Sequence, residues 1–266
     1  MDDGLQKNRA DLIKELESIF KRRVFAIVYN PYYEESKQGI QLGDQNPFTY
    51  FIENVIRKEK IKDCVFILNG FGGNLKAAIW CSEILRNNLD YYMSFVPSVA
   101  GSAICYFVLQ SNRLLIGEKS ILTQMDPIFD YQGKEFRAIK HLSDKSTNIS
   151  NLAHEVYSPV FENLKRIIQN PPHVFEKGLY KKCQKKTDFF VKAVDLLMGK
   201  EFHESGLTTK DLDILKIDYI TLREEIIEKA NILINKCRRE LISENRRFII
   251  QTNKVDDGCF GGYFFP

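Results

Sequence analysis

Apolar and polar positions recur with two different periods along the first 130 residues. Leu12, Ile13, Leu16, Ile19 and Phe20 fall at helical spacing, which predicts one amphipathic helix over 5–22. "VFAIVYN" (24–30) is a continuous apolar run of strand length, ended by Asn30-Pro31. Residues 32–48 are polar and punctuated by Gly39, Gly43 and Pro47, the pattern of a long loop. "FTYFIENVIRK" then predicts a helix, "CVFILNG" (64–70) a second buried strand, "LKAAIWCSEILRNN" (75–88) a helix and "YYMSFVP" (91–97) a third strand. "SAICYFVLQS" (102–111) predicts a short apolar helix, and "RLLIG" and "SILTQM" two further short strands.

Strands alternating with helices at this pitch predict an α/β fold of parallel βαβ units, with apolar strands covered on both faces. Beyond residue 134 the pattern turns helical: 135–170, ended by Pro171-Pro172, then 187–198, 208–215 and 221–243. No internal repeat interrupts it. The expected organisation is an N-terminal amphipathic helix over 1–23, an α/β core over 24–134, a helical region over 135–250 and an aromatic-rich tail over 251–266. The tail ends "CFGGYFFP", four aromatics in eight residues. It can pack on its own chain, on a neighbouring subunit or partner, or on a membrane.

Composition narrows the function classes. At 266 residues, 44% hydrophobic and 27% charged, the chain has the profile of an ordinary globular protein with a sizeable core. A net charge of +3 makes no case for a nucleic-acid partner. The basic clusters "KRR" (21–23), "KKCQKK" (181–186) and "KCRRE" (236–240) lack interleaved aromatics and read as solvated helix faces. Six cysteines show no CxxC pair, and Cys64, Cys81 and Cys105 sit in apolar segments, as reduced core thiols do. The N-terminus opens acidic and amphipathic, without the profile of a signal peptide. No apolar run approaches the ~20 residues needed to span a bilayer. A cytoplasmic location is expected, and membrane contact is not.

Two turns carry candidate chemistry. In "ILNGFGGNLKAA", Gly72 and Gly73 stand between a buried strand and a helix, where glycine permits positive φ and close backbone approach. Their N–H groups, with the dipole of the following helix, suit developing negative charge; a plain tight turn suits the same residues. About thirty residues on, "VPSVAGSAIC" places Ser102 at the next strand-to-helix junction, among small neighbours. Ligands of open parallel sheets bind at the carboxyl ends of the strands, so both turns emerge on one rim. A hydroxyl beside candidate oxyanion donors is the minimum constellation for acyl transfer. GxSxG is not matched, since Ile104 stands at the second glycine, and neither GxGxxG nor a phosphate-binding GxxxxGK[ST] occurs. His141 and His154 fall in predicted helices and His173 in a loop; no ligand spacing supports a metal, and no cofactor is implied.

"ILNGFGGNLKAAIWCSEILRNN", "YYMSFVPSVAGSAICYFVLQSNRLLIGEKSILTQMDP" and "MGKEFHESGLT" together resemble the serine dehydrogenase proteinase family. That family groups with signal peptide peptidase A and the Clp proteolytic subunit in the crotonase-like fold. Gly72-Gly73 match its PGG turn, Ser102 its nucleophile, Asp126-Pro127 its DP strand end, and Gly199 and His203 its later segment. Phe71 replaces the proline of PGG, Ala103 and Ile104 replace a Gly-Gly, and Thr123-Gln124 replace a Gly-Pro. Gln124 stands where the Clp subunit carries its catalytic histidine, which argues against a Ser-His-Asp triad.

The resemblance implies a crotonase/Clp-protease-like parallel core with a helical C-terminal half. It implies an ATP-independent serine peptidase acting on peptides or proteins, with Ser102 as nucleophile. In signal peptide peptidase A and its relatives a lysine at the start of the long helix after the core serves as base. Lys145 is the first candidate and Lys140 the second, with an oxyanion hole formed by backbone at Gly72, Gly73 and Ala103. Two alternatives stay open: a catalytically inactive peptide-binding or assembly protein, and acyl-CoA chemistry, which gives Ser102 no role. A homo-oligomer is expected, because relatives pack their later helices on neighbouring subunits.

Overall fold

A computed structural model describes residues 8–33, 39–125, 127–169, 193, 196–199, 206–215, 217–254 and 259–261. The chain divides into two compact units, Met1–Ile121 with Tyr219–Pro266, and Leu122–Asp218. In chain order the elements are α1 (Arg9–Phe20), β1 (Arg23–Tyr29), α2 (Gln45–Phe51), β2 (Asp63–Asn69), α3 (Leu75–Asn88), β3 (Tyr91–Val96), β4 (Val99–Ala100), α4 (Ser102–Leu109) and β5 (Arg113–Ile116). There follow β6 (Ile121–Thr123), β7 (Ile128–Tyr131), β8 (Lys134–Arg137), α5 (Ala138–His141), α6 (Thr147–Gln169), β9 (Gly206–Leu207) and α7 (Thr209–Ile214). The chain then returns to the first unit with β10 (Tyr219–Thr221), α8 (Glu224–Ser243), β11 (Phe248–Gln251) and β12 (Cys259–Gly261).

The fold is α/β. The first unit is built on a seven-stranded sheet in the order β10-β5-β3-β2-β1-β11-β12. The five strands from β10 to β1 pair in parallel, as the βα alternation predicts. β11 runs antiparallel to β1, and β12 antiparallel to β11. One sheet face buries Val24, Ala26, Val65, Ile67 and Phe95 against Leu12, Ile13 and Leu16 of α1 and Ile227, Leu233 and Cys237 of α8. The other face is aromatic: Phe25 packs edge-on against Phe51 of α2, and Phe66 against both Phe51 and Tyr92. Cys64, Cys81, Cys105 and Cys237 are buried and form no disulfide, and burial pushes the Cys105 thiol up to about 12.

Local chemistry explains several boundaries. Asn8 caps α1 by accepting from the Asp11 N–H at 2.9 Å, and Asn74 caps α3 by accepting from Ala77 at 3.1 Å. The helix expected at 48–58 begins earlier, at Gln45, and its second half, Ile52–Arg57, widens into a π-helical turn. Ile19, expected on the apolar face of α1, is exposed.

The region 135–250, read as helical, is broken by strands. Residues 128–137 form a hairpin rather than entering a helix at 135. Its turn residues Gln132 and Gly133 both take positive φ, 55° and 73°, the two-residue turn that matches strand twist. The signal was present in sequence, as Gln-Gly between Phe129-Asp130-Tyr131 and Lys134-Glu135-Phe136. β10 and β11 likewise return to the first sheet. Of the tail, Cys259–Gly261 pairs with β11 on its own chain.

In the second unit, Phe129 and Ala138 pack with Ala153 of α6 and with Tyr131, Phe136 and Leu142. Leu122 and Thr123 pair with Leu207 and Gly206.

Candidate active site

The carboxyl ends of β2 and β3 carry the two turns that the sequence singled out. Past β2, the chain at 70–74 lies between two other backbone segments. On one side Gly70 forms a parallel bridge with Ala100: Gly70 N–H donates to Val99 O at 3.3 Å, and Gly101 N–H to Gly70 O at 2.9 Å. On the other, Gly73 bridges Ile40: Ile40 N–H donates to Gly72 O at 2.9 Å, and Asn74 N–H to Ile40 O at 2.6 Å. These approaches leave no room for side chains. A Cβ on Gly39 would lie 2.0 Å from Gly72 O, and one on Gly73 would lie 2.2 Å from Ile40 O. Gly72 and Gly73 take φ of 128° and 116°, beyond the reach of L side chains without strain.

Ser102 opens α4 with φ of 46°, a left-handed conformation that is uncommon for a non-glycine residue. Such a bend between strand and helix lifts the side chain clear of the turn. Gly101 before it packs on the Phe71 backbone, 3.0 Å from where its own Cβ would lie, and Ser102 is half-buried. A Cβ on Gly72 would lie 3.0 Å from Ser102 Cβ and 3.6 Å from Oγ. The N–H groups of Gly72, Gly73 and Ala103 have no acceptor among the described residues. Ser102, Gly72, Gly73 and Ala103 are thus brought to one rim. The Phe71 ring stays 53% exposed.

A polar frame lies behind this rim. Asn69, fully buried, donates to Ser98 Oγ at 2.7 Å and accepts from the Arg238 guanidinium of α8. Arg238 belongs to the "KCRRE" cluster read as solvated; instead it is half-buried and spent on the site's scaffold. Of "KRR", Arg22 and Arg23 pair with Asp63 at 3.4 Å and Glu59 at 3.0 Å. Residues 181–186 lie outside the described ones. Asp44, with no exposed surface, pairs through both oxygens with Arg247. Burial pushes the Asp44 carboxyl up against the downward pull of Arg247 and the Gln41 N–H. Periodicity and turn chemistry do not mark Asp44, Asn69 or Arg247 as site residues, and they read Gly39 as loop punctuation and Arg238 as part of a solvated face. Only "LNG" before the glycine pair hinted at Asn69.

Lys140 and Lys145 belong to the second unit, Lys140 within α5 and Lys145 two residues before α6; both are exposed. His141 Nδ1 lies 3.0 Å from Asp144 Oδ2, with its ring edge-on to Phe136, and His154 is exposed on α6. Two family-like segments meet within this unit: Met125 N–H donates to Leu197 O at 2.7 Å, and Gln124 packs on Gly199. Arg137 donates to Gly199 O at 2.7 Å. Asp126, His173 and His203 lie outside the described residues. Among the described residues, no group of three His, Cys, Asp or Glu side chains could hold a metal ion. No described helix is long and apolar enough to cross a membrane.

No protein family and no curated protein matches the chain. Solved structures do. A serine-to-alanine mutant of the 1510-N membrane-bound stomatin-specific protease is similar over 69% of this chain and 76% of its own, at 12% identity and a TM-score of 0.38. A lysine-to-alanine mutant of that protease, in complex with a substrate peptide, is similar over 71% of this chain and 90% of its own, at 11% identity and a TM-score of 0.33.

Proposed function

We propose that the chain is a serine peptidase that cleaves peptides or proteins without ATP. Ser102 is the nucleophile, Lys145 or Lys140 the general base, and the N–H groups of Gly72, Gly73 and Ala103 the oxyanion donors. The observation that carries this reading is Ser102 in left-handed φ at a strand–helix junction, with Gly72 against its side chain. Backbone strain of this kind clusters at sites where geometry serves chemistry.

In the reaction, the lysine Nζ takes the Oγ proton as Oγ bonds to the scissile carbonyl carbon. The oxyanion accepts hydrogen bonds from the N–H groups; the C–N bond breaks and the lysine proton passes to the leaving amine. Water then cleaves the acyl ester, with the lysine again relaying the proton. A lysine can serve only when desolvation favours its neutral form. Both candidates are exposed in the single chain, so another surface must cover the base; assembly of identical subunits supplies one. Buried cysteines that form no disulfide fit a reducing, cytoplasmic setting.

The second reading, a peptide-binding protein without turnover, is favoured by Gln124, which packs against Gly199 where Clp subunits carry their histidine. A fluorophosphonate probe separates the two. Labelling lost in Ser102→Ala, with peptide hydrolysis lost alongside, supports the peptidase. Labelling that survives Ser102→Ala overturns the nucleophile, and a folded protein that neither labels nor hydrolyses favours binding alone. Lys145→Ala and Lys140→Ala, each assayed for hydrolysis, assign the base.

A further inference from the structure

We propose that the buried Asp44–Arg247 pair is a positioning device: it holds the Gly39–Ile40 segment against Gly72-Gly73 and so aims the oxyanion donors. The inference rests on the peptidase reading above for its function, but its geometry stands independently.

Arg247 immediately precedes β11, and its backbone carbonyl accepts from Asn30 N–H at 2.8 Å, at the end of β1. Its guanidinium therefore has a fixed origin on the sheet. From there Nη1 donates to Gly39 O at 2.9 Å and to Asp44 Oδ2 at 2.8 Å, while Nη2 meets Asp44 Oδ1. Asp44 Oδ2 also accepts from Gln41 N–H at 2.8 Å. The pair thus grips residues 39 and 41, on either side of Ile40. Ile40 in turn makes both hydrogen bonds on its side of the glycine turn, donating to Gly72 O and accepting from Asn74 N–H. Two bonded steps separate the ion pair from Gly72.

Stability alone is a weak reason for this arrangement. Asp44 has no exposed surface and the Arg247 side chain only 6%. Apolar pairs of similar volume commonly match or exceed the stability of buried ion pairs. What an apolar pair cannot supply is direction. Gly39 O and Gln41 N–H need partners at set angles, and a segment held only by packing can shift by fractions of an ångström. Donors aimed at a developing oxyanion lose most of their effect when they shift in this way.

The test compares Asp44→Leu/Arg247→Met, Arg247→Lys and the intact protein by kcat, KM, thermal melting and amide exchange over residues 71–74. The expected result for the double variant is a cooperative melt, kcat lower by about tenfold or more and KM nearly unchanged. Its amides at 71–74 should exchange faster, and Arg247→Lys should recover part of kcat. A folded double variant with intact kcat and intact exchange overturns the proposal. Should the double variant not fold, Arg247→Lys decides: intact kcat and exchange there overturn it as well. If the intact protein hydrolyses nothing and Ser102 takes no probe, the peptidase reading fails. The exchange data then still decide whether the pair holds the turn.

Discussion

Gly72 turns the position that a side chain would occupy toward the Ser102 side chain. A Cβ built on Gly72 would sit 3.0 Å from Ser102 Cβ and 3.6 Å from Oγ. The absence of one side chain therefore shapes the space around another. Gly72→Ala meets two costs at once, this contact and a φ of 128°, together about 1–3 kcal/mol of stability. Chemical denaturation should show that loss, and hydrolysis and Ser102 labelling should fall to background. An alanine variant that keeps full labelling would remove Gly72 from the site.

Ser102 itself is strained. Left-handed backbone costs a residue with a Cβ about 1–2 kcal/mol, a penalty glycine escapes. Ser102→Gly should accordingly be more stable than Ser102→Ala by about 1 kcal/mol, while both lack activity. Equal stabilities of the two variants would mean that residue 102 is not left-handed in solution.

Arg238 offers a test of the frame behind the rim. Its guanidinium satisfies the Asn69 carbonyl oxygen, which has no access to water. Arg238→Ala leaves that acceptor unpaired, for a loss of about 1–3 kcal/mol. The loop that Asn69 holds through Ser98 Oγ should also exchange its amides faster. Unchanged stability would place the guanidinium elsewhere.

Asp144 carries a pH signature in the second unit. Its hydrogen bond from His141, helped by the Ser146 N–H, holds its carboxyl below the ordinary carboxylate range. A depressed folded value means that the stabilisation is present above about pH 3.9 and is lost as pH falls through the lowered value. Carboxyl carbon shifts should show Asp144 titrating low in the intact protein. In His141→Ala the titration should move up only part of the way, because Ser146 still donates. A normal titration in the intact protein would break this pairing.

The sequence alone determined the βα order of residues 23–116, the boundaries of α3, and the two turns at the ends of β2 and β3. Local periodicity and turn chemistry encode these features, so each could be read from a dozen neighbouring residues. Ser102 and the Gly72-Gly73 pair were legible for that reason. The positive φ of Ser102 was not, since serine does not announce it.

Tertiary structure decided what lies around them. Gly39 looked like loop punctuation, yet it is a glycine because Gly72 O occupies its Cβ position. Asp44 and Arg247 are 203 residues apart, and Asn69 and Arg238 are 169 apart. β11, the four residues Phe248–Gln251, lies where the sequence predicts the end of a helical region, and it is a strand because β1 takes it as an antiparallel neighbour. Pairings of this kind leave no periodic trace in either partner. They arise because a closed core must find a complement for every buried charge, amide and sheet edge, and that complement is fixed only when distant segments meet.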